Sequence, residues 1–436
     1  MTSHDPRPTL VILGCGNRGG NAYARWCADH PERVRVTAIA EHDPRYRDQV
    51  RDLLGLDESQ CYTSAEDLLA QPRLADGLVL SLTENMRLEP MRAALERGYA
   101  VLCEKPLARS RDELAEIDAL VRAQDRPVLT CHVLRHQPFF REVQRIVASR
   151  ALGRVVHIQH NENMGYWHFT HSYVRGVFRN SAKAGPIILA KTSHDLDILS
   201  WLADSPAERV SSQGELTHFR PERAPVGAAL RCMDGCALFN SCPHNAVQLY
   251  VEELGEASGW PVSMVEPRQD REARRRAIAE GPYGRCVYHC DNTQPDHQTT
   301  SVRFENGITA VLTASAFTGE DTRTVRIFGT DAELLGHMES GRIEVRRFAG
   351  ADGDGVRPFG LGASEVIHVD TGDGHEMGDT GLVDSFVRVL AGEEDDPVTA
   401  WSRSTDSHWM AFAAEESRAH SSAWVNVDHV RGRRHE

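Results

Sequence analysis

A short apolar run, Thr9-Leu-Val-Ile-Leu13, opens straight into Gly14-Cys-Gly-Asn-Arg-Gly19, and this junction constrains the fold more than any other stretch of the chain. Gly-x-Gly-x-x-Gly between a buried strand and a helix, here opening at about Gly20, is a turn that cradles a pyrophosphate. Gly14 permits the tight turn, Gly16 lets the phosphates approach the backbone, and Gly19 brings helix and strand together, while free N–H groups at the helix N-terminus meet the charge. The motif alone is weak, so its surroundings decide. A second strand over residues 34–40 ends at Glu41. A carboxylate there accepts both ribose hydroxyls and repels a 2′-phosphate, so the segment reads as a dinucleotide site preferring NAD. Arg45 is the nearby residue that could instead hold a 2′-phosphate.

Residues 9 to about 130 go on alternating short apolar strands (77–82, 100–103, 127–131) with helical patterns. One helix over 89–97 ends at Gly98; another follows the capping box Ser110-Arg-Asp-Glu113, with Leu114, Ile117, Leu120 and Val121 on one face. The alternation predicts a doubly wound parallel sheet. Beyond residue 150 the texture changes to long strands at 155–162, 299–317, 324–329 and 342–348, with a hairpin signal at Asn306-Gly307. The expected fold is therefore α/β: an N-terminal Rossmann domain over residues 1–131, then an α+β domain over 132–436 with a large, mostly antiparallel sheet. A cysteine-rich insertion falls at about 220–295, and the active site is expected in the cleft between the domains. Residues 349–363 read as a surface loop, 266–281 as a solvated helix and 430–436 as a frayed tail.

A net charge of −14 over 436 residues argues against nucleic acid or an anionic membrane as partner. No targeting pattern and no apolar run near the roughly 20 residues that span a bilayer is apparent, so a soluble, cytoplasmic protein is expected. Five of the ten cysteines are scattered through the first 131 residues, as buried reduced thiols would be. The others, Cys232, Cys236, Cys242, Cys286 and Cys290, nearly reach the density of a zinc site without the usual Cys-x2-Cys knuckle. Structural zinc on Cys232, Cys236, Cys242 and either Cys286 or Cys290, reduced buried thiols, and a disulfide are the three readings; a reducing cytosol disfavours the last.

Three stretches carry candidate chemistry. Lys105, in Glu104-Lys105-Pro106, follows a strand at the carboxyl edge of the sheet, where it is either an ordinary surface lysine or a donor to a substrate hydroxyl. His194, in His194-Asp195-Leu-Asp197, begins an amphipathic helix with Lys191 one turn earlier; it is either a general base or part of a helix cap, with Asp195 and Asp197 favouring the helix dipole. Trp167, His168, His171, Arg175 and Arg179 gather aromatics and hydrogen-bonding groups suited to a sugar, or form a surface loop.

Together, Gly-x-Gly-x-Arg-Gly (14–19), Leu-x-Glu-Lys-Pro-Leu (102–107) and His194 resemble the glucose–fructose oxidoreductase/inositol dehydrogenase family, Gfo/Idh/MocA, over nearly the whole chain. Arg135-x-x-Pro138, Gly153-Arg-Val and Phe304-Glu-Asn-Gly307 also fall where that family has similar residues. His171-Ser-Tyr-Val-Arg-Gly176, Lys191-Thr-Ser-His-Asp195 and Cys286-Val-Tyr-His-Cys-Asp-Asn292 resemble a branch with an added cysteine-rich insertion. The resemblance implies a nicotinamide cofactor, hydride chemistry on sugars, cyclitols or their derivatives, and a homodimer or homotetramer formed through the second sheet. It implies that Lys105 and His194 are catalytic, with Pro106 in the cis form that is frequent in the family. Where many members carry Asp, this chain has Ala190 followed by Lys191, which brings Lys191 into the proton relay. The loop from Thr83 to Glu89 lacks the histidine often found there.

The cofactor-binding set is then Gly14, Gly16, Asn17, Arg18, Gly19, Glu41, Arg45, Thr83, Glu104 and Lys105. The substrate set is Arg135, Trp167, His171, Arg175, Arg179, Lys191, Asp195 and His194. A second implied activity is a glycoside hydrolase that uses NAD catalytically, oxidising a ring hydroxyl, eliminating the aglycone and re-reducing the ketone. Sulfoquinovose or another anionic glycoside would then be held by Arg135, Arg175, Arg179 and Lys191, with acid and base drawn from Lys191, Asp195, His171, Glu162 and Asp296. A sensor that binds dinucleotide without turnover is the third reading.

Overall fold

The computed structural model describes residues 5–266, 268–348, 361–372 and 376–432. Fifteen strands appear there in chain order: β1 Thr9–Leu13, β2 Arg35–Ala40, β3 Cys61–Tyr62, β4 Gly77–Leu80, β5 Ala100–Cys103, β6 Val128–Thr130, β7 Val155–Gly165, β8 Ala207–Glu215, β9 His297–Phe304, β10 Thr309–Thr318, β11 Thr322–Gly329, β12 Ala332–His337, β13 Arg342–Phe348, β14 Leu361–His368 and β15 Val425–Asn426. The first six form one parallel sheet in the order β3-β2-β1-β4-β5-β6. Helices cover both faces, which is why β1, β4 and β5 are unbroken apolar runs with no alternation. This doubly wound order puts its crevice at the carboxyl ends of β1 and β4.

The remaining nine strands form the second sheet, ordered β14-β13-β12-β11-β7-β10-β9-β8-β15 and antiparallel except where β10 runs parallel to β7. Its inner face packs on helices Ser193–Ala203 and Asp406–Ala419. On β7 the period-two pattern points Ile158, His160, Glu162 and Met164 inward. Two of those four are polar, and they underlie the cleft.

Several expectations are corrected here. Helix Ser193–Ala203 buries every residue but Trp201, so it is a core helix and not an amphipathic one. Helix Arg271–Glu280 is not merely solvated, since Ala273, Arg274 and Ile278 are buried. Residues 361–363 begin β14; the rest of the expected loop at 349–363 lies outside the described residues, as does the end of the tail. Helix Glu376–Leu390 crosses back to the first sheet, where Leu382, Val383, Phe386 and Val387 share a core with Leu10, Ile12 and Val79. The segment between β8 and β9 has a small core of its own around Val247, Tyr250, Val262, Ile278 and Tyr283. Among the described residues no helix is long and apolar enough to cross a membrane.

Candidate active site

The glycine loop is shaped by what a side chain would strike. Gly14 has φ +86°, and a Cβ there would meet the Ser81 carbonyl oxygen at 2.8 Å; a Cβ on Gly19 would meet the Gly14 oxygen at 1.8 Å. Gly16 differs, since a Cβ would have nothing within 4 Å, leaving its backbone open to an approaching ligand. Helical backbone begins at Asn17, earlier than Gly20. Glu41 is buried at the end of β2, where Oε2 accepts from Cys15 N–H (2.7 Å) and Oε1 from Asp43 N–H (2.9 Å). A carboxylate has lone pairs for further donors, so these residues fit a dinucleotide. Arg45 points elsewhere, its Nη2 paired with Asp43 at 2.6 Å and three-quarters of its side chain exposed.

At the end of β5, Glu104 is buried and held by Arg18 Nε (2.8 Å) and by the Tyr23 hydroxyl. Burial pushes the Glu104 carboxyl up, but the Arg18 charge, the hydrogen bonds from Arg18 and Tyr23 and the Lys105 charge together outweigh it and hold the group below its usual value. The same Arg18 donates to Asp379 (2.8 Å), far along the chain. The following Lys105–Pro106 bond is cis. Arg87, on the loop after β4, fixes this turn by donating to the carbonyls of Leu82 (2.8 Å), Glu104 (2.6 Å) and Pro106. Lys105 Nζ reaches across to donate to the Ala190 carbonyl of the second domain at 3.0 Å. Burial lowers its pKa to about 8, with Glu104 opposing the shift and Lys191 adding to it.

Lys105 opens into a cleft of about 480 Å³ lined also by Asn17, Arg18, Lys191, His194 and Asp321. Lys191 Nζ is ion-paired with Glu162 at 3.1 Å, and Arg323 joins Glu162 (2.7 Å) to Asp195 (2.8 Å). His194 stands edge-on to the buried His132, with ring centroids 5.5 Å apart. His168 Nδ1 lies 2.6 Å from Asp321. Burial and the Lys191 charge lower the His168 pKa, while burial on Asp321 is outweighed by that hydrogen bond together with the His168 and Lys191 charges and the Gly165 N–H, leaving its carboxyl at about 2.

Residues 9–133 match the sequence profile described as the oxidoreductase family, NAD-binding Rossmann fold, and residues 140–250 match the GFO/IDH/MocA C-terminal domain. The chain belongs to the Gfo/Idh/MocA family. Similar curated proteins include D-xylose 1-dehydrogenase (NADP(+)) 2 of Haloferax volcanii, 35% identical over 29% of this chain and 38% of that protein. Another is 1,5-anhydro-D-fructose reductase of Ensifer adhaerens, 30% identical over 34% and 44%. A third is inositol 2-dehydrogenase of Corynebacterium glutamicum, 25% identical over 44% and 53%. The chain thus spans about two-fifths to one half of these relatives' lengths. Among solved structures, levoglucosan dehydrogenase with NADH and levoglucosan superposes with a TM-score of 0.68 at 16% identity, covering 97% of this chain and 99% of that one. An Agrobacterium radiobacter oxidoreductase with NAD+, L-tartaric acid and magnesium gives 0.65 at 17%, covering 97% and 99%. These likenesses establish the shared two-sheet fold.

Within this Gfo/Idh/MocA chain, Lys105, Lys191 and His194 share the cleft, but several other expected site residues serve the scaffold. Arg135 is buried in a two-pronged pair with Asp197 (2.7 and 2.8 Å). Burial raises the Asp197 carboxyl to about 6 against the pull of Arg135. Asp195 is fully buried between His160 and Arg323, each at 2.8 Å; burial acts against its charge, but Arg323 and His160 win and hold it low. Asp195 and Asp197 are therefore engaged in buried ion pairs and do more than favour the helix dipole. Arg175 runs under the insertion, donating to Arg285 O (2.8 Å) and His244 O (2.7 Å), and Arg179 pairs with Asp291 (2.7 Å). His171 sits behind the cleft, bonded to the Tyr250 hydroxyl (2.8 Å) and kept neutral by burial, its pKa near 3. Asp296 is spent on the N–H groups of Thr217 and His218, both at 2.7 Å. Thr83 is exposed and bonds to Asn85 (2.7 Å).

The zinc expectation is also corrected. Among the described residues no three His, Cys, Asp or Glu side chains come together to hold a metal, and all ten cysteines are free thiols. Cys232, Cys236, Cys242 and Cys286 line one cavity, whereas the Cys290 thiol turns to the Cys286 carbonyl (3.3 Å). Burial raises the Cys242, Cys286 and Cys290 thiols. Asp321, Arg323, Arg87, Glu339 and Trp260 were not singled out in the sequence. None belongs to a motif, and all but Arg87 reach the cleft through the second sheet or the insertion.

Proposed function

We propose that this protein is an NAD-dependent oxidoreductase that moves hydride between a ring hydroxyl of a sugar, cyclitol or sugar derivative and the nicotinamide. The observation that carries this reading is the meeting of Lys105, from the edge of the dinucleotide-binding sheet, with Lys191 and His194, from the second domain, in one cleft. The relatives' named activities, two dehydrogenases and a reductase, favour it over a redox hydrolase.

A nicotinamide dinucleotide bound on the glycine loop supplies the hydride acceptor. Gly14, Gly16, Asn17 and Gly19 would hold its pyrophosphate, and Glu41 its ribose hydroxyls, which selects NAD over NADP. The Lys105 ammonium donates to the substrate oxygen and steadies the charge that develops there. His194 takes the hydroxyl proton. Lys191, engaged by the Glu162 carboxylate at 3.1 Å, suits a donor that orients the substrate. We assign residues 1–131 to cofactor binding and 132–436 to substrate binding. The solvent-facing side chains of Gln159, Asn161, Thr324 and Arg326 mark the sheet face assigned to a homodimer or homotetramer. Ten free thiols suit a reducing, cytoplasmic setting.

The test is NADH formation by purified protein across a panel of pyranoses, cyclitols and their derivatives. Steady NADH release with one class supports the reading. Failure of every member to reduce NAD+, with NAD binding intact, would sink it in favour of a non-catalytic sensor.

A further inference from the structure

The insertion between β8 and β9 is not an appendage on the far side of the second domain, because one of its residues stands in the cleft. Trp260 lines the same cavity as Lys105 and His194, and the residue is 43% exposed. A half-exposed indole at the mouth of a pocket is the informative kind of exposure. Its ring stands edge-on to His168, centroids 4.9 Å apart, and packs 5.5 Å from Trp167. Behind it, His171 meets the indole at a right angle (5.6 Å) and stacks on Tyr283 (4.8 Å) of the insertion's core. Val262, two residues on, is buried in that core. The indole is thereby held by groups with little freedom to move.

The anchoring goes further. Arg274, fully buried, donates to the carbonyls of Leu254 (2.6 Å), Gly255 (3.0 Å) and Ala257, bracing the turn that leads to Trp260. Phe178, also half-exposed, adds a second aromatic to the lining. Asp321, Lys191, Arg323 and Glu339 supply charged groups to the same cavity. The cleft thus combines aromatic surface with charged hydrogen-bonding groups. A ring polyol has matching character: a patch of C–H bonds over one ring face and hydroxyls around the rim. An open-chain polyol presents no such flat apolar face without losing conformational freedom.

We propose that Trp260 is a substrate-binding residue that stacks on the apolar face of a cyclic sugar or cyclitol, so that the insertion selects ring substrates over open-chain ones. The proposal rests on the oxidoreductase reading for the class of ligand, but not on turnover. It concerns binding, since the indole carries no group that could exchange a proton with a hydroxyl.

Saturation-transfer NMR on the NAD-loaded protein, with myo-inositol, methyl α-D-glucopyranoside and D-sorbitol as probes, tests it. Wild type is expected to bind at least one ring compound more tightly than D-sorbitol, with saturation strongest on ring C–H protons. Trp260→Ala should weaken that ring compound about tenfold and flatten the preference, while Trp260→Phe keeps it within about threefold. NAD affinity and melting temperature serve as controls for folding. Ring binding by folded Trp260→Ala equal to wild type would overturn the proposal alone. Ring binding without any NADH formation would overturn the oxidoreductase reading and leave the aromatic contact standing. Failure of wild type to bind either ring compound better than D-sorbitol would also overturn the proposal, even if NADH forms.

Discussion

The glycine loop and the insertion between β8 and β9 are both irregular backbone beside one cleft, yet they are held in opposite ways. The loop is fixed by the absence of side chains: Gly14 at φ +86° and Gly19 tucked against the Gly14 carbonyl leave the chain one path, with Ser81 Oγ donating to Gly14 O at 2.6 Å. The insertion is fixed by long side chains reaching inward. Arg175, Arg231 and Arg274 each donate to two or more main-chain carbonyls that no helix or strand satisfies. Guanidinium groups suit this work because their donors form a rigid fork and stay charged. Where backbone must meet a ligand, bulk is removed; where backbone must be supported away from regular structure, donors are added.

That contrast can be broken by substitution. The largest effect is expected where the two regions meet: Lys105→Met should lower kcat on the order of 10²–10³-fold, the cost of losing one preorganised donor to a developing charge, with NAD affinity unchanged by calorimetry. Loss of NAD binding instead would make Lys105 part of the cofactor cradle. Next, Arg274→Met leaves buried carbonyls without donors, which costs about 3 kcal/mol. Limited proteolysis should then cut the insertion first while NAD affinity persists; unchanged proteolysis would mean the insertion's apolar core suffices.

Gly19→Ala should weaken NAD about 100-fold, as a displaced loop no longer presents its N–H groups, without loosening the insertion. Glu41→Ala should shrink the preference for NAD over NADP about tenfold, the worth of charge-assisted hydrogen bonds; a wild type that already prefers NADP would promote Arg45. The smallest effect is in pH. The Lys105 pKa is lowered to about 8, so the ammonium is present below that pH and lost as pH rises through it. Since the charged form is the donor, kcat/KM for oxidation should fall to about half by pH 8. A profile still rising there would show that the neutral amine is the working form.

The legibility of this chain follows the same division. Strands β1, β4 and β5, the glycine turn and the β9–β10 hairpin depend on neighbours within a few residues, and apolar runs with glycines announce them. Lys105 was visible because it rides on a strand end within a motif. The partners of Arg135, Arg175 and Asp195 are not legible because a charged side chain carries no mark of what it will meet. Asp197 lies 62 residues from Arg135, and Arg285 lies 110 residues from Arg175. Helix Ser193–Ala203 reads as amphipathic from the spacing of Leu196, Leu199, Trp201 and Leu202, whereas its acids are buried too, met by Arg135 and Arg323. Trp260 had no periodic or motif context at all.

Helix Glu376–Leu390 lays Leu382, Val383 and Phe386 on the first sheet beside Leu10 and Ile12, and Asp379 bonds Arg18 across 361 residues. During synthesis, the nucleotide-binding domain therefore emerges from the ribosome with one apolar face uncovered. The covering helix begins 245 residues beyond residue 131, so at about 5–20 residues per second it follows only after roughly 12–50 s. Through that interval the nascent sheet exposes a sticky flank to every passing surface, and a holding chaperone has its clearest target there. A ribosome stalled before residue 376 would display that flank indefinitely.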